Sequence, residues 1–323
     1  MESLHPTLIL FQNWLRQLSF PAAPANLYDA ITHFLAGGGK RLHPLFCLLG
    51  NELFGDVQPD AFHAATAIAL YHHSVQVHDD LSAEAVQRQG RSGLPTRYNG
   101  STALLAGDVL LIHAFSHINK IRHKRVKSIS ALFSHAAMSV CEGLQLEIAQ
   151  MQAALGDVRY ADYLAMIDKK QAALLAASIG IGAIIGGGVP AQQVELADFG
   201  RQMGMAFRLH EDYLDAFGMP DRQVIQADMN IYANRKTALL IRAMELCSEE
   251  GRHRIERAWQ EKGEDREAAL QDIYRAYELD KWLIGEMDRY TVRAFECLER
   301  VDVPAGRKEK LTTLADMLLV RQH

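Results

Sequence analysis

The sequence predicts an all-α fold, a single bundle of ten or more helices over residues 1–323 arranged around a central active-site cavity. Three observations predict it. Apolar residues recur at three- and four-residue spacing in long segments such as RVKSISALFSHAAMSVCEGLQLEIAQMQAAL and VELADFGRQMGMAFRLHEDYLDAF. Strand-like alternation is nearly absent, and glycine and proline breaks punctuate the chain with no Ser/Pro-rich linker or compositional jump to divide it.

The elements follow in order. MESLHPTLILFQNWLRQL reads as an amphipathic helix, because Glu2 stands where a secretory signal would be basic and no small-residue cleavage site follows a long enough apolar run. Breaks at Phe20–Ala23, Gly37–Gly39, Gly55–Pro59 and Gly90–Pro95 bound the next helices, among them the one carrying YHHSVQVHDDL. Further breaks fall at Gly156–Arg159, Gly186–Pro190, Gly218–Asn230 and Gly263–Asp265. The uncharged stretch AALLAASIGIGAIIGGGV, residues 172–189, has about the minimum length of a membrane span. Its small residues, the Lys169-Lys170 pair before it and the Gly-Gly-Gly-Val-Pro break after it mark a buried helix instead, and no membrane span is expected. The last hundred residues or so, rich in Glu, Arg and Ala, read as solvated helices covering the core, with no chemistry assigned.

Composition narrows the function. A chain of 323 residues with 49% hydrophobic content buries a large core, and a net charge of −5 without a basic, aromatic-interleaved stripe excludes a general nucleic-acid binder. Cysteines at 47, 141, 247 and 297 are scattered with no CxxC pair, which predicts buried thiols and a cytoplasmic setting.

Two acidic clusters carry the chemical information: Asp79-Asp80 after His78, and Glu211-Asp212 followed by Asp215, each inside an apolar helical pattern. Carboxylates on two helices facing one another across a core make a cage for Mg²⁺ and a diphosphate, and burying them without a cation would be costly. The first wall is incomplete: in DDLSAE, Ala83 stands one turn after Asp79 and Glu84 comes one residue late. Gly37-Gly38-Gly39-Lys40-Arg41 sets two cations behind a glycine turn, where an anion can meet both side chains and backbone N–H groups; alone it reads equally as a helix cap. His72, His73 and His78 share the first acidic helix without an i, i+4 pair, which argues against zinc and for a histidine that hydrogen-bonds near a phosphate. Arg91 in GRSGLPT and Lys169-Lys170 in MIDKKQAALL are, taken singly, helix-terminal charges.

Together these strings resemble the trans-isoprenyl diphosphate synthases, or polyprenyl synthetases. GGGKRLHP is similar to that family's GGKRLRP, YHHSVQVHDDL to its helix ending in HDD, RSGLPT to RRGxPT, and LLAGDVLL to AGDALL. CEGLQLEIAQ, YLAMIDKKQAALLAAS and MGMAFRLHEDYLD resemble the segments around its Gly-Gln, its Lys-Thr and its second aspartate motif, so seven segments occur in family order between about residues 37 and 240. The resemblance implies the all-α fold and an Mg²⁺-dependent prenyltransferase that condenses an allylic diphosphate with isopentenyl diphosphate. It places Lys40, Arg41 and His72 on isopentenyl diphosphate, Arg91 and Lys170 on the allylic diphosphate, Arg235 where the family has a substrate-binding Lys, and Asp79, Asp80, Glu211, Asp212 and Asp215 on Mg²⁺. It implies a homodimer, with a heterodimer formed with an active homologue as the alternative. The growing tail would run down the helix of Asp79, past small Ser74 and Val75 to a floor at Tyr71, giving a product near geranylgeranyl length.

The departures from the family pattern gather in the site. His43 replaces the Arg of GGKRLRP, Ala83 an aspartate, Ser92 the second Arg of RRG, Gln171 the Thr after Lys170, Arg208 a Gln, and Glu211 an Asp. Asn230 and Arg235 stand for Asp and Lys, with Asp228 or Lys236 as candidates under a shifted register. Ala83 and Ser92 remove charge from a site that works by stabilising charge, each on the order of a few kcal/mol. Two alternatives to the synthase therefore stand: a non-catalytic or regulatory subunit of a heteromeric enzyme, and a terpene synthase-like enzyme that ionises a diphosphate and diverts the cation.

Overall fold

The computed structural model describes residues 5–37, 41–82, 87–88, 91–218, 235–261 and 263–319. The N-terminal half comprises α1 (His5–Leu15), α2 (Ala25–Leu35), α3 (Leu42–Glu52), α4 (Pro59–Ser82), a hairpin of β1 (Gln87–Arg88) and β2 (Arg91–Ser92), α5 (Leu94–Arg97), α6 (Gly100–Ile118) and α7 (Val126–Gln152). Then come α8 (Tyr160–Ile167), a π-helical turn (Asp168–Ala172), α9 (Ala173–Gly186) and α10 (Pro190–Phe217). The chain closes with α11 (Ala238–Leu246), α12 (Glu249–Gln260), α13 (Gly263–Ala276), α14 (Leu279–Arg300) and α15 (Ala305–Leu319).

α9 is the axis of the bundle. All but three of its residues are buried, and α3, α4, α7 and α10 pack around it. Its glycines let those neighbours approach. A Cβ on Gly182 would lie 2.0 Å from the Cys47 carbonyl oxygen of α3, and one on Gly200 of α10 would lie 2.9 Å from the Leu175 carbonyl oxygen. The apolar stretch that imitates a membrane span is thus a 14-residue interior helix, ended by Gly187 at φ 94° and restarted by Pro190 at the first turn of α10. By length and composition, the described helix that resembles a span is α6, with 19 residues.

Two expectations are corrected, and the all-α fold carries one short strand pair. A two-residue antiparallel ribbon pairs Gln87 with Ser92 and Arg88 with Arg91; strands this short leave no alternation to read. Cys141 is exposed, whereas Cys47, Cys247 and Cys297 are buried. The C-terminal helices are more than a cover. Ile255, Leu270, Ile273, Leu279 and Leu283 close a second core over α8 and α11, and Leu298, Leu311, Leu314 and Leu318 complete a third against α3, α9 and α10. Charged residues dilute these apolar stripes, so composition reads as solvated while the helical faces do not.

Candidate active site

Helical geometry sets the first acidic wall. Near the C-terminal end of α4, Asp80 is buried at 2% exposure and Asp79, one residue before it, is half-buried. The three histidines of that helix diverge. His78 faces α6, where its Nε2 lies 3.3 Å from Asp108 and where only Gly107 leaves room for the ring. His73 meets Gln76 at 3.1 Å and the ring of Phe34, while His72 stacks on His43 with ring centroids 4.5 Å apart. Burial first, then the neighbouring His73, push the His43 imidazole down to about 4, so the residue at the family's Arg position is neutral at pH 7. Arg41 caps α3 in a left-handed conformation, φ 47°. Lys40, Ala83, Glu84, Asp228 and Asn230 lie outside the described residues, as do the side chains of Arg91 and Ser92.

Lys170 does not open α9 but lies in the preceding π-helical turn. The turn has a visible cause: Gly143 of α7 abuts the Lys170 backbone, and a Cβ there would lie 2.4 Å from the Lys170 nitrogen. This close approach aims Lys170 Nζ at Glu147, one turn beyond Gly143 on α7. The other Glu147 oxygen, Oε1, takes Arg235 Nε at 2.8 Å. All three side chains are nearly buried, at 13%, 8% and 11% exposure for Lys170, Glu147 and Arg235. Burial opposes ionisation of Glu147, but Arg235 and Lys170 outweigh it and hold its carboxyl below the usual range. Burial lowers the Lys170 ammonium, with Glu147 and Asp79 opposing that shift. Lys170 is thus within electrostatic reach of the α4 acidic wall, and Arg235 within reach of Asp215 on α10. Lys236 turns away and donates to the carbonyls of Gln150, Met151 and Ala153 at the end of α7, so Arg235 is the residue that faces the site.

The second wall is built differently from the first. Asp212 is fully buried, with Oδ1 accepting from Arg208 Nη2 at 2.6 Å. Its Oδ2 accepts from the Tyr163 hydroxyl at 2.6 Å and the Ala238 N–H at 2.8 Å. Arg208 also donates Nε to the Tyr163 oxygen at 3.3 Å and approaches Glu211 at 3.7 Å. Gln171 reaches Glu211 at 3.4 Å. Asp215 is exposed. Sequence reasoning missed Glu147 and Tyr163. It also treated Gln171 and Arg208 only as departures from a pattern.

Taken together, α4, α7, the π-helical turn, α10 and the segment leading into α11 bring two carboxylate walls and a cationic centre into one electrostatic neighbourhood. Residues 24–277 match the polyprenyl synthetase family. The chain belongs to that family. It is 31% identical to the short chain isoprenyl diphosphate synthase of Methanothermobacter thermautotrophicus over 96% of this chain and 94% of that one. It is 29% identical to the geranylgeranyl diphosphate synthase of Sulfolobus acidocaldarius over 92% and 91% of the two chains. A solved geranylgeranyl pyrophosphate synthase superposes with a TM-score of 0.89 at 29% identity, covering 100% of this chain and 99% of that one. This family member is a trans-prenyltransferase with an all-α fold, an enzyme of isoprenoid biosynthesis.

The donor chemistry separates the two walls of this prenyltransferase with respect to metal. Asp79 and Asp80 carry carboxylate oxygens, the hard donor type that Mg²⁺ prefers. Both oxygens of Asp212 are committed to protein donors, one of them a guanidinium, and that does not fit a metal ligand. Among the described residues, no three His, Cys, Asp or Glu side chains are grouped as a metal cage.

Proposed function

We propose that this prenyltransferase condenses an allylic diphosphate with isopentenyl diphosphate, with Mg²⁺ as cofactor and a product near geranylgeranyl length. The observation that carries the reading is the Lys170–Glu147–Arg235 centre, which keeps one net positive charge in an almost dry site beside the Asp79 wall. When bound at Asp79 and Asp80, Mg²⁺ would supply charge neutralisation for a diphosphate leaving group.

The chain's own residues do the rest. Breaking the allylic C–O bond sends its electron pair to the diphosphate oxygen, and the Lys170 ammonium, already oriented by Glu147, stands to receive that charge. Arg91, Lys40, Arg41 and His72 are the proposed diphosphate-holding groups. The apolar interior around α4, α7 and α9 excludes water while the double bond of isopentenyl diphosphate attacks the allylic carbon. The departing diphosphate then takes the proton that restores the double bond.

Product length follows from α4. Tyr71 lies two turns before Asp79, about 12 Å away; it is 2% exposed, its hydroxyl donates to the Ala137 carbonyl at 2.8 Å, and its ring sits edge-on to Phe133. This braced ring is the proposed floor. Exposed Leu104, Leu105 and Ile112 on α6 with Met138 and Ile148 on α7 support a dimer with a second copy through those helices. The test there is sedimentation of Ile112→Glu, which should be monomeric; an unchanged dimer refutes this face. Four free cysteines support a reducing cytoplasm.

The deciding experiment is Mg²⁺-dependent incorporation of labelled isopentenyl diphosphate with dimethylallyl, geranyl and farnesyl diphosphates in turn. Elongated product that disappears in Asp80→Ala supports the synthase. No incorporation with any primer refutes it and leaves the regulatory-subunit reading. Diphosphate release without isopentenyl diphosphate indicates the cation-diverting enzyme.

A further inference from the structure

The second acidic cluster contains its own cation. Arg208 and Asp212 are one turn apart on α10, both buried, and their 2.6 Å contact is braced by Tyr163, which accepts from Arg208 and donates to Asp212. Asp212 Oδ2 also fixes the first N–H of α11. Both Asp212 oxygens therefore already accept from protein donors, Oδ2 from two of them and Oδ1 from a full positive charge. Mg²⁺ needs carboxylate oxygens at about 2.0–2.1 Å in near-octahedral geometry, and at Asp212 it would either share Oδ1 with the guanidinium, two positive charges on one oxygen, or displace a donor from Oδ2.

The neighbouring departures point the same way. Glu211, one methylene longer than aspartate, reaches back toward Arg208 at i, i+3, and Gln171 donates to the same carboxylate. Three of the residues that depart from the family pattern, Gln171, Arg208 and Glu211, thus contact one another around one wall. As an arginine, Arg208 keeps its charge at every accessible pH.

We infer that Arg208 takes the place of a divalent ion on the second acidic cluster, with Asp212 a structural anchor rather than a metal ligand, so that metal loading in this enzyme is confined to fewer ions. The inference rests on the proposed Mg²⁺–diphosphate site and deepens it. A guanidinium differs from a metal ion in what it can do: it cannot be chelated away, and it contributes the same charge at every Mg²⁺ concentration.

The test counts ions instead of products. Mn²⁺ binding to the full chain is titrated by electron paramagnetic resonance in the presence of inorganic diphosphate, for the unaltered protein, Arg208→Gln, Arg208→Lys and Asp212→Asn. Arg208→Gln should bind at least one more Mn²⁺ per chain than the unaltered protein. Arg208→Lys, which keeps the charge, should not, and Asp212→Asn should leave the count unchanged. Equal counts in the unaltered protein and Arg208→Gln, or an ion lost in Asp212→Asn, overturn the inference. If the variants fail to fold, crystals of the unaltered chain soaked in Mn²⁺ and diphosphate decide it: anomalous density in coordinating contact with Asp212 refutes the inference, and density only elsewhere supports it. Because inorganic diphosphate is the probe, a chain that incorporates no isopentenyl diphosphate still answers this question, and the two readings fail separately.

Discussion

Replacing Glu147 by Gln should destabilise this protein more than removing either of the cations that Glu147 holds. One carboxylate answers two charges here, with Lys170 on Oε2 and Arg235 on Oε1. Without it, two cations roughly 5 Å apart repel by about 3 kcal/mol at an effective dielectric near 20. Removing one member of a buried ion pair has a typical effect of about 3–5 kcal/mol, which agrees. For a chain of 323 residues that corresponds to a fall in melting temperature of roughly 4–7 °C. Lys170→Met leaves a matched Glu147–Arg235 pair and should cost about 1 kcal/mol. Inorganic diphosphate, an anion for the same cations, should raise the melting temperature of Glu147→Gln more than that of the unaltered protein. The sign with pH follows from the depressed Glu147 pKa: its contribution is complete above the ordinary carboxylate value of 4.5 and is lost as pH falls through the lower folded value. The gap between the two proteins should therefore be full at pH 7 and narrow only in acid. Differential scanning fluorimetry with and without diphosphate reads all of this, and a Glu147→Gln protein melting within about 2 °C of the unaltered one would show that charge balance is not what holds the centre.

Tyr71→Ala should open the floor below Asp79 and lengthen the principal product, and Ser74→Phe, filling a buried position one turn above it, should shorten it; chromatographic resolution of the dephosphorylated products checks both, and unchanged lengths would move the floor elsewhere. His43, pushed down to about 4 from an ordinary 6.5, should contribute full stability above pH 6.5 and lose it as pH falls toward 4, on the order of 2–3 kcal/mol in all. Equilibrium unfolding of His43→Gln should show a flatter acid limb over that window, and an identical limb would assign the acid sensitivity to other groups.

Helix boundaries were legible because the signals that set them are local. Gly186–Pro190 ends one helix and starts the next through a left-handed glycine and a first-turn proline, and both are written in the sequence. The π-helical turn was not legible, because its cause is a long-range contact between Gly143 and the Lys170 backbone. Glu147 shows a deeper limit. In LQLEIAQ the apolar pattern would turn Leu146 and Ile148 inward and the glutamate outward, yet Glu147 is 6% exposed while Leu146 and Ile148 are 38% and 42% exposed. What orients α7 is the pair of cations that meet the carboxylate, and both come from elsewhere in the fold. Gly143 and Glu147, four residues apart on one face, were the available trace.

The same reasoning recasts the departures from the family pattern. Read one by one they look like decay: His43 and Ser92 each remove a cation, and Ala83 removes a carboxylate. Arg208 was counted among them, but it adds a cation, and the fold gives it buried partners of opposite charge instead of leaving it exposed. Over these four positions the gains and losses cancel, while the location of the charge changes. Positive charge moves from the first turn of α3 and the segment before α5 into the interior of α10, where it is held by Asp212 and Tyr163. Random loss of function has no reason to conserve charge or to supply a buried arginine with two hydrogen-bonding partners and a further ion pair; a site rebuilt to stabilise a diphosphate with fewer exchangeable ions has reason to do both.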